Sequence, residues 1–342
     1  MATAMDDFIG CALESTYGTA VTVTRFYPWM PGGTNGNWEP QVRTGQGVLG
    51  GAGRTMVRAS RAFLASGRGV VKVKAELETR AGGVLFTSAF GVAVAPTAIT
   101  GGSVQIFHTQ VPNLVLPSLT WQLRKILNDG SARVETFRGC TATKVKIQQP
   151  VNAIPTIEAE YDALAFTTAT AAAVPSYSAT SNLYDAMHGS VGYAGTLTVP
   201  TGSTIASGLT ADTKWRSWEL ELSQEADIDG WVLTAGNRSQ PKVGMATGKL
   251  TGEIEWNDNV IPDAYNAGTQ AAWMSQWQHP TETVGAVPAL MQIVLPRIMW
   301  TKAPTDVSPG EAARTLSVEA DVQSNGTDRD VYCVYRTQDT AA

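Results

Sequence analysis

The sequence predicts a mainly β protein, and three features predict it. Apolar and polar residues alternate with period two along the whole chain, helical periodicity is confined to two stretches, and the segments between are long and glycine-rich. The clearest alternation is VVKVKAEL at 70–77, where Val71, Val73, Ala75 and Leu77 face one way and Lys72, Lys74 and Glu76 the other. That pattern makes a strand with one face on a core and one in water. It recurs at 143–148 (TKVKIQ), 156–163 (TIEAEYDA), 218–223 (WELELS), 249–256 (KLTGEIEW) and 315–320 (TLSVEA). VYCVY at 331–335 reads as a continuously buried strand, and a first strand is expected at 19–27.

Two helices are expected. One covers about 79–90; the other covers about 262–278, where Pro262 suits a first helical turn and Asp263 suits the helix dipole. Trp273 and Trp277 lie four apart and form its apolar seam. Three segments read as loops: 30–55, 167–212 and 224–247. Loops this long are uncommon unless functional. They are either disordered or ordered against a neighbouring subunit.

The elements come in the same order twice. A strand at 19–27, a long loop, a strand at 68–78 and a helix at 79–90 lead into strands ending near 166. A strand at 215–223, a long loop, a strand at 247–256 and a helix at 262–278 lead into strands ending near 337. Segment 140–164 runs basic-alternating, then a proline-bearing turn, then acidic-alternating, and 295–322 follows the same plan. The reading is an internal duplication: a first β unit at 1–166, a linker or insertion rich in Ala, Thr, Ser and Gly at 167–212, and a second β unit at 213–342.

The composition narrows the function. The 342 residues are 43% hydrophobic and carry a net charge of −5, which gives a large core and argues against a clustered basic nucleic-acid surface. Cys11, Cys140 and Cys333 are far apart, form no metal or redox motif, and are expected as small core residues in a reducing cytoplasm. The N-terminal segment lacks the basic region of a signal peptide, and no apolar run is long enough to span a membrane. His108, His188 and His279 stand far apart, and no nucleophile elbow, phosphate loop or metal-binding helix motif appears. No catalytic, metal or cofactor site is implied, and the expectation is a protein that is not an enzyme.

Several segments resemble the tail-tube (major tail) proteins of long, flexible-tailed, siphovirus-type phages. LESTYGTAVTVTRFYPW (13–29) is similar to their opening E-x-x-Y-G-T-A segment. LPSLTWQL (116–123) and FRGCTATKVKIQQPVNAIPTIEAEYDAL (137–164) resemble their P-S-L-T, G-C-K and hairpin region. SWELELSQEAD (217–227), GMATGKLTGEIEWND (244–258) and LPRIMW (295–300) resemble the later strands. The order of these segments carries the likeness, over most of the chain. The resemblance implies a β-sandwich with a flanking helix, whose long strands join a β-barrel shared between subunits around a ring. Rings of three duplicated chains, or of six chains, would stack into a hollow virion tail, made in the host cytoplasm. DNA would pass through its lumen without specific binding. Tape measure, tail terminator and distal tail proteins are the partners it implies, and no membrane is involved.

Under that reading Glu158, Glu160, Asp162, Glu219, Glu221, Glu253 and Glu255 are candidate lumen-facing residues, with Lys72, Lys74, Lys144 and Lys146 available to pair across strands. An ordinary solvated sheet face accounts for them equally well. The segment 30–55 is the candidate ring-stacking loop, with Trp38, Arg43, Arg54, Arg58 and Arg61 in and just beyond it, since Trp and Arg are favoured at interfaces. A mobile loop with local salt bridges is the plainer account. The rival function is a carbohydrate-binding β-sandwich of tail-adhesin type, suggested by ten tryptophans that either stack on sugars or fill a core.

Overall fold

Strand pairing organises this chain. The computed structural model describes residues 7–30, 32–44, 62–109, 115–178, 180–230, 238–305 and 314–340. Among them the first half holds β1 (Phe8–Leu13), β2 (Arg25–Tyr27), β3 (Asn35–Thr44), β4 (Ala62–Glu76), helix α1 (Gly83–Phe90), β5 (Val92–Ala93), β6 (Thr97–Ile99) and β7 (Gly102–His108). It continues with β8 (Leu119–Ile126), β9 (Ala132–Gln149), β10 (Thr156–Ala163) and β11 (Ala165–Thr167). The second half holds β12 (Gly189–Thr198), β13 (Ser207–Asp212), β14 (Trp215–Ser223), β15 (Thr247–Glu255), helix α2 (Val260–Ala267), β16 (Gln270–Val284), β17 (Val287–Lys302), β18 (Thr315–Val322) and β19 (Tyr332–Thr337).

All pairings are antiparallel. The strands β3, β4, β10, β9, β14, β15, β18 and β17 lie side by side in that order. The 18-residue β9 is the hinge of the arrangement, flanked by β8 and β11 along its first half and by β10 and β14 along its second. The apolar side of β8 meets that of β10, with Trp121 against Tyr161 at a ring separation of 5.3 Å. Trp218 packs between Trp273 and Trp277 in the other half, at 5.0 and 5.5 Å. Both aromatic groups belong to one continuous buried cluster.

The two halves repeat their pairings. β1–β2, β1–β8, β3–β4 and β4–β10 recur as β12–β13, β12–β16, β14–β15 and β15–β18. β8–β9, β9–β10 and β9–β11 recur as β16–β17, β17–β18 and β17–β19. Irregularities recur too. The β8–β9 register slips just before Trp121, and the β16–β17 register slips just before Trp273. An extra residue, Thr143, separates the pairs of Ala142 and Lys144 with β10, and its hydroxyl donates to the Glu160 carbonyl at 3.1 Å. Thr301 occupies the same place before Lys302 and donates to the Glu319 carbonyl at 3.3 Å. Each helix has eight residues and closes on a left-handed glycine, Gly91 (φ 94°) or Gly268 (φ 62°), where a Cβ would be strained.

Three segments distant in sequence, 13–20, 116–123 and 137–140, converge on one carboxylate. Glu14 accepts hydrogen bonds from Gly18 N (2.9 Å), Ser118 Oγ (2.8 Å), Thr120 Oγ1 (2.8 Å) and Gly139 N (2.8 Å). It thereby pins the β1 end, the start of β8 and the middle of β9 to one point. A second carboxylate ties the halves together: Glu282 of β16 accepts from Thr79 and Asn182, both at 2.6 Å, and pairs with Arg80.

Five expectations change. Residues 262–278 are not one helix: α2 ends at Gly268, and Trp273 and Trp277 lie on β16, where a spacing of four also fits period two. The 19–27 strand shrinks to β2, and β1 precedes it. The segment 30–55 is not all loop, because 35–44 forms β3 on the edge of β4. The 167–212 linker contains β12 and β13, which join the sheet through β16. The first helix is present but begins at Gly83, because Glu78 and Thr79 extend the backbone pairing toward 182–183.

Replacing Glu14 with Ala strips four donors of their shared acceptor and leaves Gly139 N without its partner. The expected loss is about 3 kcal/mol or more of unfolding free energy in urea titration, whereas a substitution at exposed Thr16 changes stability little.

Candidate functional site

The surface that stands out is the charged face shared by β4, β10, β9, β14, β15 and β18. Strict alternation puts Val73, Val145, Leu220, Leu250 and Val318 in the core and sends their neighbours outward. One register row then reads Lys74, Glu158, Lys146, Glu221, Lys249 and Asp321 across six adjacent strands, with the sign changing at every step. Ion pairs lie along and between rows: Lys74–Glu158 (2.6 Å), Lys72–Glu160 (2.9 Å), Lys146–Glu219 (2.7 Å) and Lys144–Glu221 (2.8 Å). The ladder continues with Lys249–Glu319 (2.6 Å), Lys302–Glu319 (3.1 Å) and Arg216–Glu253 (3.4 Å).

Hydration screens these contacts, so each contributes about 0–1 kcal/mol to stability. Their larger effect is on register, since a slip of one residue would bury a whole row of charge. Partial burial pulls the Lys146 ammonium down, but the hydrogen bond and charge of Glu219 outweigh it and leave it above its ordinary value. Hydrogen bonds from Lys249 and Lys302 hold Glu319 below the usual carboxylate range.

The candidate residues divide into three groups. Glu158, Glu160, Glu219, Glu221 and Glu253 sit in the ladder, each beside a cation, and Glu255 is exposed at its end opposite Thr315. Lys72, Lys74, Lys144 and Lys146 pair across strands with these carboxylates, so the face is of mixed sign. Asp162 does not share it. Its carboxylate is 1% exposed, held by Arg238 at 2.7 Å and by Arg68 at 3.0 Å. Arg238 comes from the 224–246 connection, which crosses onto the first half and also donates to the carbonyls of Ile228 and Ala163. Burial pushes the Asp162 carboxyl up, against the pull of both guanidinium groups.

The third group is the candidate stacking segment. Trp38 is half-buried and stacks on Phe166 at 5.8 Å, so it is held within its own chain. Arg43 is exposed near the end of β3, opposite Phe63. Arg54, Arg58 and Arg61 lie outside the described residues. The hairpin of β3 and β4 instead presents an apolar end that the sequence reading missed: Val42, Phe63 and Leu64 are each 60% exposed or more. Their signal was a run of apolar residues flanking a glycine-rich segment.

The structure brings His188 and His279 together, with ring centres 5.1 Å apart. His279 Nδ1 accepts from Glu282 N (2.9 Å), and His188 Nδ1 accepts from Asp185 N (3.2 Å). Both Nδ1 atoms are thus occupied by backbone, and neither ring hydrogen-bonds a hydroxyl or thiol among the described residues. Burial and the neighbouring His188 lower the His279 value. The three cysteines are buried and unpaired, and burial pushes the Cys11 thiol up to about 12. No group of three or more His, Cys, Asp or Glu is placed to hold a metal ion among the described residues.

Four tryptophans of the second half face inward. Trp218, Trp273, Trp277 and Trp300 are at most 3% exposed. Trp277 donates to Gln149 Oε1 at 2.7 Å and Trp300 to Tyr193 OH at 2.8 Å. A cleft of about 450 Å³ borders Trp215, Trp218, Trp277, Asp212 and Arg216; Trp215 packs on Trp273 and Trp300, and Trp218 and Trp277 reach the cleft only from the core, at most 3% exposed. Stacking on a sugar needs an open indole face, and these indoles fill a core. No helix among the described residues is long and apolar enough to cross a membrane. Comparisons with protein-family models and with curated proteins found no match to this chain.

Removing the Asp162 carboxylate takes the counter-charge from Arg238. Asp162→Ala is expected to lower unfolding free energy by about 3–5 kcal/mol, measured by urea titration; Glu160→Ala on the exposed ladder should change it by less than about 1 kcal/mol.

Proposed function

We propose that this chain is a structural subunit of a phage-type tail tube, built from two copies of one β-sandwich unit and assembling into stacked rings. The observation that carries the reading is the recurrence of the same pairings and bulges in the two halves, with the halves already joined edge to edge through β9 and β14. Such a chain is two ring segments in one polypeptide. Repeating a heterologous join closes a ring, and closure removes the exposed strand edges that otherwise aggregate. Three chains supply six units and roughly 24 strands, with a perimeter of about 115 Å at the ~4.8 Å interstrand spacing.

In this assembly the charged ladder lines the lumen, with Glu158, Glu160, Glu219, Glu221, Glu253 and Glu255 interleaved with lysines. Opposite signs one strand apart cancel within a Debye length of about 8 Å, so passing DNA meets neither a basic grip nor a strong acidic barrier. The apolar end of the β3–β4 hairpin is the contact between stacked rings. The host cytoplasm as site of synthesis, the virion as location, and tape measure, terminator and distal tail proteins as neighbours follow from the tail-tube resemblance.

Electron microscopy with light scattering on the purified protein tests this. Rings or hollow tubes with a repeating mass of three chains are the expected result. A monomer at all concentrations that binds cell-wall glycans specifically would replace it with the carbohydrate-binding reading. Replacing Val42, Phe63 and Leu64 together with Ser should leave thermal unfolding of the subunit unchanged and shorten or abolish tubes while rings persist. Tubes of normal length would remove the hairpin from stacking.

A further inference from the structure

We infer that the outer edge of β3 in one copy pairs antiparallel with the tail of β17 in the next copy, in the register that β14 and β9 use inside the chain; this join rests on the ring-forming reading above. The partner is a second copy of this chain, and the repeated pairings specify the contact residue by residue.

Two positional matches fix the register. Val70 lies opposite Asp162, and Lys249 lies opposite Asp321. Asn37, paired with Val70, therefore stands in β3 where Glu221, paired with Lys249, stands in β14. On the other side, Lys144 faces Glu160 just past the Thr143 bulge, and Lys302 faces Glu319 just past the Thr301 bulge. Inside the chain Lys144 lies opposite Ser223, Val145 opposite Leu222, and Ile147 opposite Leu220. Carried over, Lys302 lies opposite Glu39 of the next copy, Ala303 opposite Trp38, and Thr305 opposite Gly36.

Three independent features fit. Both edges are open: among the described residues β3 pairs only with β4, and β16 leaves β17 at Met299. The backbone donors also match. Gln224 N donates to the Thr143 carbonyl at 2.9 Å, which puts the cross-strand hydrogen bonds at Val145 and Ile147 and none at Lys144 or Lys146. Pro304 takes the place of Lys146, where no N–H is required; Pro40 takes the place of Gln224 and cannot donate as Gln224 N does, so the join between copies ends one hydrogen bond earlier than the internal one. A proline in β3 is the usual mark of a strand edge. Finally, the charges are complementary, because Lys302 meets Glu39 where the internal join places Lys144 beside Glu221. Ala303 is buried as Val145 is, so the apolar parity is kept across the join.

Paired cysteines test the register. Residues opposite each other at a non-hydrogen-bonded position have Cα atoms about 4.5 Å apart, within disulfide range. A chain carrying both Glu39→Cys and Lys302→Cys should form, on mild oxidation, a ladder of covalent oligomers that stops at the ring size, three chains. Either single variant should stay uncrosslinked. A charge exchange gives a second measurement that needs no disulfide. Glu39→Lys should reduce ring yield by about tenfold or more, and adding Lys302→Glu should restore it to within about twofold. Rings or tubes without crosslinks and without rescue would overturn this register and leave the tube reading standing. Crosslinking of Glu39→Cys alone would show β3 pairing with itself and overturn the join. Failure of every folded variant and of the parent chain to assemble would overturn both.

Discussion

The arrangement depends on the pairing of β9 with four neighbours. A strand of ordinary length has one partner on each edge. At 18 residues, β9 is long enough to change partners midway, from β8 and β11 to β10 and β14. That change joins the two halves through a sheet ladder with the core on one side and water on the other; the β7–β19 ladder and the Glu282 contacts join them a second time. The transition falls where Gly139 and Cys140 meet Thr141. Gly139 has φ 63°, and its N–H is held by Glu14. A left-handed glycine lets the strand turn, and the carboxylate fixes how far.

This accounts for what the sequence made legible. The alternating strands were readable because water on one face and core on the other write period two directly into the residues. The segments E-x-x-Y-G-T-A, P-S-L-T and G-C stand out as motifs, and the structure gives them a local role: they supply the Glu14 carboxylate and its donors. Positions β12, β13 and β3 were illegible for the opposite reason. Their ladders need only backbone groups, and the edge strands β3 and β13, like β12 between β13 and β16, are rich in Gly, Thr, Ser or Asn and carry no long apolar stripe. The long second helix failed on arithmetic: Trp273 and Trp277 satisfy both the helical and the strand period, and the helix in fact ends before them at left-handed Gly268. Asp162 failed on distance in sequence. Its parity is correct for the ladder, but Arg238, 76 residues later, covers it, and strand periodicity holds no information on what a remote connection will cover.

The sign pattern of the ladder selects neighbours more than register. Along β4, β10, β9 and β14 one sign repeats at alternate positions, as in Lys72 and Lys74, Glu158 and Glu160, Lys144 and Lys146, Glu219 and Glu221, so each strand presents the opposite charge to the next. A one-residue slip would bury a row of charge, and the core excludes it. A two-residue slip keeps most signs complementary, as the diagonal pairs Lys146–Glu219 and Lys144–Glu221 show, so core packing and the bulges at Thr143 and Thr301 hold the alignment while each exposed pair contributes little.

A chain that carries two like units faces one asymmetry that six separate units would not. The internal join β9–β14 has a continuous backbone to hold it at high local concentration, whereas any join between chains must form by encounter. The composition of the two edges reflects this difference. Inside, the contact is built from Val145, Ile147, Leu220 and Leu222, which are buried as the chain folds. At the outer edges the corresponding places hold Ala303 and Thr305 on one side, Trp38 and Gly36 on the other, with Pro304 and Pro40 among them. Small Ala303, Thr305 and Gly36 and the missing proline donors make those edges poorer templates for indiscriminate strand addition. In the proposed ring this would hold the edges apart until a second copy arrives, with the Lys302–Glu39 pairing selecting the partner edge.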